Sequence, residues 1–272
     1  MRKVLAAIFL LAATAAAAQT TPEGFKAAYE RQKAAVGLTG LGVKGILESW
    51  NAAFPNDTLM LEAVFAYNLA KGRSTVAVTR PEKKYLGRDP LLTLKDSTGR
   101  LVHYFEVPVY DEEYFASAQK ALDKAITLAP NNIGYLFDEI TSLLDYEGDS
   151  PDMAATALLN LIDRNYSEHP DWNLYGAPFT QQDFTDAVKE YCYSFWKLAT
   201  PVGYDSFYNV SSRMMRAEPN DPGFFDNVGA YWQVAKKDNK KAAKFYKKAL
   251  KLDPNDYAAS QNMKIITNHN KK

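Results

Sequence analysis

The chain has 272 residues, 47% of them hydrophobic and 24% charged, which is the composition of a folded protein rather than a disordered one. Its 32 basic and 32 acidic side chains balance, so charge gives no reason to expect nucleic acid or a membrane surface as partner. Cys192 is the single cysteine, which excludes an internal disulfide, and its aromatic neighbours predict a buried, unreactive thiol.

Residues 1–18 have the features of a secretory signal peptide. Arg2 and Lys3 precede an apolar run from Val4 to Ala13, and alanines up to Ala18 provide a cleavage site. No cysteine follows the cleavage region, so a lipid anchor is not expected. We therefore predict an exported protein, periplasmic in the first place or extracellular, with no membrane-spanning segment after cleavage.

An N-terminal helical region is predicted over residues 19–54, and a recurring tripeptide follows it. In each copy, the proline is predicted to end one helix, and the Asn or Asp two residues later to cap the next. The recurrence of this tripeptide therefore predicts a series of helix pairs. The copies are Pro55-Asn56-Asp57, Pro219-Asn220-Asp221 and Pro254-Asn255-Asp256, with a near copy at Pro130-Asn131-Asn132.

Residues 73–110 interrupt the first of these pairs. Leu91 to Lys95 and Leu101 to Val107 are rich in β-forming residues, and they flank the turn sequence Asp-Ser-Thr-Gly. We predict a β-hairpin inserted between the helix at residues 59–71 and the helix at residues 111–129. Two further pairs are predicted over residues 133–170 and 180–219. Ser150 is the expected N-cap of the helix that begins at Pro151.

The last pair has the most regular spacing. Large and small residues fall at i, i+3, i+4 and i+7 of its first helix, and alanines alternate with an aromatic residue on its second. Its two flanking prolines, Pro219 and Pro254, lie 35 residues apart. The residues that form this pattern are Phe225, Val228, Gly229, Trp232, Ala242, Tyr246, Ala249 and Pro254.

These residues resemble a tetratricopeptide (TPR) repeat, in which small residues allow the two helices and the next repeat to approach. The resemblance implies an all-α, right-handed helical-repeat solenoid over residues 55–272, with about four helix pairs and a small inserted β-hairpin. It assigns Phe225, Gly229, Trp232, Ala242, Tyr246, Ala249 and Pro254 to packing between helices. It also implies an interaction module with a groove lined by the first helices of the repeats.

Some TPR proteins hold the C-terminal carboxylate of a ligand with Lys and Asn on those first helices. Here the corresponding positions are Asp226, Asn227, Ala230 and Gln233, and the lysines are absent. Carboxylate binding is therefore not expected. Asn227 and Gln233, with Asp226 beside them, can instead contact the backbone of an extended ligand, and one or two of the aromatic residues between 172 and 208 can contribute to holding it.

Catalytic chemistry has little support. The histidines, His103, His169 and His269, have no metal-binding spacing, and the chain lacks the nucleophile, phosphate-binding and dinucleotide motifs. We predict no catalytic residue, no cofactor and no metal. The predicted function is a non-catalytic scaffold of the cell envelope that binds another protein or a peptide. Two alternatives are an adaptor or assembly subunit whose inserted hairpin makes the contact, and an enzyme without a recognisable motif. The partner and the oligomeric state stay open.

Overall fold

A computed structural model describes residues 20–269 of the chain, so the predicted signal peptide lies outside the described residues. Eleven α-helices and five β-strands occur in this part. The helices are α1 (Pro22–Val36), α2 (Val43–Ala53), α3 (Thr58–Gly72), α4 (Glu112–Leu128), α5 (Ile133–Glu147), α6 (Asp152–Glu168), α7 (Gln181–Lys197), α8 (Pro201–Ala217), α9 (Pro222–Val234), α10 (Asn239–Leu252) and α11 (Tyr257–His269). The strands are β1 (Arg73–Arg80), β2 (Leu92–Lys95), β3 (Leu101–Tyr110), β4 (Asn173–Leu174) and β5 (Ala177–Pro178).

The described residues divide into two compact units. Unit 1 consists of residues 20–75 and 108–135, and unit 2 consists of residues 76–107 and 136–269. These units do not coincide with the predicted segments 19–54 and 55–272. That division concerns where the repeats begin, and it stays a prediction.

Unit 1 is built from α1 to α4 around an aromatic and aliphatic core. The rings of Phe25 and Trp50 stack with their centroids 6.3 Å apart, and Met60 and Leu122 are fully buried beside them. Helix α3 packs along α4, although the insertion separates them in the sequence. Burial of such apolar side chains, at about 25 cal/mol per Å², is the main source of stability for this unit.

The recurring tripeptide acts as predicted at all four positions. The residue before each proline ends its helix outside the α-helical region, with φ between −117° and −137° and a positive ψ, as steric conflict with the proline ring requires. The third residue of the tripeptide donates its backbone N–H to the carbonyl oxygen of the residue before the proline, over 3.0 to 3.1 Å. Its side chain accepts a hydrogen bond from a backbone N–H of the next helix. These capping residues are Asp57, Asn132, Asp221 and Asp256.

The insertion contains the predicted antiparallel hairpin and one further strand. Strand β2 pairs with β3, with Lys95 opposite Leu101, and the sheet order is β1-β3-β2. Asp96 organises the turn by accepting hydrogen bonds from the N–H groups of Thr98 and Arg100 and from the Thr98 hydroxyl. Gly99 takes the left-handed conformation, with φ of +82°, that the turn requires. Strand β1 was not predicted.

Residues 76–107 of the insertion pack within unit 2. Gly87 has φ of +72°, and a Cβ atom there would lie 2.9 Å from the backbone oxygen of Lys197 at the end of α7. The Arg80 guanidinium lies over the Tyr85 ring, and the Tyr85 hydroxyl donates to Asp149 at the turn between α5 and α6. Phe105 is fully buried. The insertion is therefore anchored on one face rather than projecting freely.

Unit 2 also contains α5 from residue 136 onward with its partner α6, the pairs α7/α8 and α9/α10, and α11. The predicted N-cap of α6 is wrong, because Pro151 occupies the N-cap position and Ser150 donates to the Asp152 carboxylate instead. Glu147, on the preceding helix, accepts hydrogen bonds from the N–H groups of Met153 and Ala154. A carboxylate with two oxygens satisfies two free donors of α6, where a serine hydroxyl satisfies one.

The predicted series of helix pairs with a small inserted β-hairpin is confirmed. Within residues 20–269, none of the helices is both long enough and apolar enough to cross a bilayer.

Candidate functional site

A cavity of about 540 Å³ lies in unit 2 along one side of α9, and we call it the α9 cavity. Five helices contribute to it, because α8, α10 and α11 pack against α9 and α7 packs against α8. Its volume is within the range of small-ligand and side-chain pockets. The lining residues are Lys189, Tyr193, Trp196, Phe207, Gly223, Asp226, Asn227, Ala230, Gln233, Val234, Tyr246, Asn262 and Ile265.

The helical period explains which side chains of α9 reach the cavity. Asp226, Ala230 and Gln233 follow one another at i, i+4 and i+7, so they lie on one face of the helix. Phe224 and Val228 lie on another face and are buried in the core. One face of α9 thus lines the cavity, and another face packs in the core.

All three predicted ligand contacts, Asp226, Asn227 and Gln233, line this one cavity. Asn227 Nδ2 donates to the Ser211 hydroxyl at 3.3 Å. Gln233 Oε1 accepts from the Tyr246 hydroxyl, while its Nε2 has no hydrogen-bond partner within the described part of the chain. The structure thus brings the three side chains together, and their role in ligand binding stays a prediction.

The charges in the cavity are uneven. Lys189 Nζ lies 2.6 Å from Asp221 Oδ2, so its charge is compensated inside the protein. Burial of the Asp226 carboxyl, followed by repulsion from Asp256, raises the pKa of Asp226 to about 6. A single hydrogen bond from Asn262 Nδ2, at 3.5 Å, opposes this shift. At neutral pH Asp226 is therefore an ionised group in an unfavourable site.

Aromatic residues form the wall opposite α9. Trp196 packs between Tyr204 and Phe207, at centroid distances of 4.9 and 4.8 Å, which fixes its ring. Tyr193, one turn earlier on α7, is 62% exposed. Both belong to the aromatic residues that the sequence indicated as possible contacts. The contributions of Lys189, Asn262 and Ile265 were missed, because no local pattern shows that α7 and α11 meet beside α9.

The predicted packing positions lie where α9 meets α10. A Cβ atom on Gly229 would come within 2.5 Å of Tyr246 Cε1, so only glycine admits the tyrosine ring at this distance. Ala242, Tyr246 and Ala249 are fully buried in one cluster, against which Phe225 and Trp232 pack at its edge. Pro254 lies in the turn that follows α10. These contacts hold the cavity wall in place.

The α9 cavity contains few titratable groups. Its titratable lining groups are one lysine, one aspartate and two tyrosines, without a histidine or cysteine. Burial raises the pKa of the Tyr246 phenol, which makes it a poorer proton donor or nucleophile. Within the described residues, no group of three His, Cys, Asp or Glu side chains is placed to hold a metal ion.

Comparisons with known proteins give structural likeness alone. No protein-family model matches the chain, and neither does any curated protein. Among solved structures, YrrB, described as a TPR protein with an unusual peptide-binding site, is 12% identical over 81% of both chains, with a TM-score of 0.38. MamA residues 41 to the end, from Desulfovibrio magneticus RS-1, is 13% identical over 86% of this chain and 95% of that one, with a TM-score of 0.35. A MamA RS-1 ArsTM double mutant is 14% identical over 85% and 93%, with a TM-score of 0.36.

Proposed function

We propose that this protein is a non-catalytic scaffold that binds an extended segment of another protein in the α9 cavity. The observation that carries the proposal is the composition of the cavity. Amide and carboxylate groups from α9 face an aromatic wall from α7 and α8. Apolar walls with a few convergent polar groups are typical of binding pockets.

The polar groups match the needs of an extended peptide. Each residue of such a peptide presents one backbone donor and one acceptor, which lose their water when the peptide enters a cavity. Side-chain amides carry both kinds of group. Gln233 Nε2 lacks a partner in the described residues and lies on the cavity wall, so it is placed to donate to a peptide carbonyl.

Aromatic side chains supply the apolar part of the contact. Tyr193 and Trp196 lie one turn apart on α7, and large rings of this kind contribute much of the binding free energy in protein interfaces. Because its neighbouring rings fix Trp196, little side-chain entropy is lost when a ligand packs against it.

The proposed location is the cell envelope outside the cytoplasm. It is supported by the basic residues Arg2 and Lys3, the apolar run that follows and the alanine-rich end of residues 1–18. Expression of the full chain, followed by N-terminal sequencing of the protein from the periplasm and the medium, tests this. A cytoplasmic protein that retains its first residues contradicts the proposal.

Peptide binding is tested with a random peptide library displayed on phage and selected on the full-length protein. We expect enriched peptides whose binding is weakened about tenfold or more by Tyr193→Ser, the effect of removing an aromatic contact worth about 1.4 kcal/mol. The matched control is Tyr257→Ser, because Tyr257 is 76% exposed and does not line the cavity. Absence of any enriched peptide, or equal effects of the two substitutions, contradicts the proposal.

A second candidate assigns the contact to the insertion, and one observation favours it. Leu92 and Leu94 on strand β2 and Leu101 on β3 are 49%, 47% and 53% exposed. Strand β2 is at the edge of its sheet, so one side of its backbone lacks a neighbouring strand. An extended strand of a partner can pair with such an edge and cover Leu92 and Leu94, which lie on the same face of the sheet.

Substituting Leu92 and Leu94 by threonine separates the two candidates. Threonine keeps the β propensity of the strand and removes most of its apolar surface. If this variant binds the partner as well as the parent protein does and Tyr193→Ser does not, the result supports the α9 cavity. The reverse pattern supports the insertion.

A further inference from the structure

The charge balance of the α9 cavity indicates what its ligand carries. Asp226 and Lys189 are the two charged residues among those that line the cavity. Lys189 Nζ has Asp221 Oδ2 at 2.6 Å and Asp186 Oδ1 at 3.9 Å, so two carboxylates already compensate it. No cation compensates Asp226 in the described part of the chain.

The contacts of the Asp226 carboxylate are weak. Its hydrogen bond from Asn262 Nδ2 is 3.5 Å long, beyond the usual range for a hydrogen bond from N–H to oxygen. Asp256, which caps α11, adds a second negative charge nearby. A partly buried carboxylate in such a site gains strongly from a cation that replaces its lost water.

The remaining groups around the carboxylate are compatible with a long basic side chain. Phe207 and Trp196 offer an apolar wall on the other side of the cavity, and the methylene groups of lysine and arginine pack well against such surfaces. The face of an aromatic ring also attracts a cation. An acidic ligand group meets the charges of Asp226 and Asp256 instead.

We propose that the α9 cavity selects a lysine or arginine side chain of the bound peptide, and that the Asp226 carboxylate receives its cationic group. This inference rests on the proposed peptide-binding function. In this proposal Asp226 binds a cationic group rather than a carboxylate, and Asn227 and Gln233 contact the peptide backbone. The raised pKa of Asp226 agrees with it, since an incoming cation relieves the cause of that shift.

The test is the same phage-displayed library of random octapeptides, selected in parallel on the full-length protein, on Asp226→Asn and on Glu190→Gln. Asparagine has the size of aspartate and removes only its charge. Glu190 is exposed on α7 and does not line the cavity, so its substitution is a control for the change in net charge. We expect one position rich in Lys or Arg with the parent protein and with Glu190→Gln, and loss of this preference with Asp226→Asn.

The strength of the contact is measured by calorimetry with one enriched peptide and its analogue in which the basic residue is glutamine. We expect the replacement to weaken binding to the parent protein about tenfold or more, and to change binding to Asp226→Asn less than about twofold. Thermal unfolding of both variants confirms that they are folded.

The outcomes separate the two proposals. Absence of enriched peptides on the parent protein overturns the peptide-binding function itself. Enriched peptides without a basic position, or a basic preference that survives in Asp226→Asn, overturn the assignment to Asp226 and leave peptide binding intact.

Discussion

Replacing Gly229 by alanine tests whether the contact between α9 and α10 depends on the absence of a side chain. The added Cβ atom would lie 2.5 Å from Cε1, 2.7 Å from Cδ1 and 3.1 Å from Cζ of Tyr246. The ring has no room to retreat, because Tyr246 is fully buried and its hydroxyl donates to Gln233 Oε1. One of the two helices therefore has to shift.

Two opposing effects set the magnitude. Alanine in the interior of a helix is more favourable than glycine by about 1 kcal/mol. Overpacking a well-packed core costs about 1–3 kcal/mol, and a contact well under 3 Å with a buried ring belongs at the upper end of that range. We expect Gly229→Ala to lower the free energy of unfolding of unit 2 by about 1–2 kcal/mol.

The assay is native-state hydrogen exchange followed by mass spectrometry, because a chain with two compact units need not unfold in one step. Faster exchange is expected in the peptides that cover α9 and α10. In a Tyr246→Leu background the ring is gone, and Gly229→Ala should then be neutral or stabilising. The control is Gly45→Ala in α2, where an added Cβ meets nothing within 4 Å, so about 0.5–1 kcal/mol of stabilisation is expected. Unchanged or slower exchange in α9 and α10 of Gly229→Ala refutes the argument.

Three further outcomes are expected. Asp226→Asn should stabilise the protein by about 1 kcal/mol at pH 7, because the pKa of Asp226 is about 6 in the folded protein and lower in the unfolded chain. The cost of ionising Asp226 in the folded protein is therefore present above pH 6 and absent below about pH 4. Denaturant unfolding at pH 7 and pH 3.5 checks this, and an equal gain at both pH values contradicts it. Asp57→Ala should lower the free energy of unfolding by about 2 kcal/mol, since it removes the cap of α3 and the acceptor of the buried Trp50 Nε1–H, 2.9 Å away. Urea unfolding measures this loss, with Asp57→Asn, which keeps an acceptor, as the comparison. Burial raises the pKa of the Cys192 thiol to about 12, so a thiol reagent should modify the protein only after denaturation, and rapid modification of the native protein disproves this burial argument.

The parts of the fold that depend on local physics were predictable from the sequence. The helix ends at the recurring tripeptide follow from the restricted residue before proline and a capping side chain two residues after it, all within a few residues of chain. The hairpin turn at residues 96–99 is equally local, since Asp96 bonds to the backbone of its own turn. The close approach of α9 to α10 was indicated by the small residue Gly229, although its contact with the Tyr246 ring was not predicted.

The failures have a common cause in contacts between distant parts of the chain. Strand β1 is rich in Val and Thr, but its pairing with β3 depends on a segment more than twenty residues away. The cap of α6 comes from Glu147 rather than the adjacent Ser150, which depends on how α5 ends. The α9 cavity was foreseen on its α9 side, where helical period decides, but Lys189 and Asn262 enter it through packing between helices.

The insertion between α3 and α4 also affects when parts of the protein can fold during synthesis. Helix α3 ends at Gly72, yet its partner α4 is complete only when Leu128 has left the ribosome, about 3–11 seconds later at ordinary rates of synthesis. During that interval the apolar face of α3 lacks its main partner and is available to chaperones. The N–H of Asp111 donates to the carbonyl of Gly72 at 2.9 Å, which fastens the base of the insertion once both ends are present. Completion of unit 1 is thus delayed by the segment inserted between two of its helices.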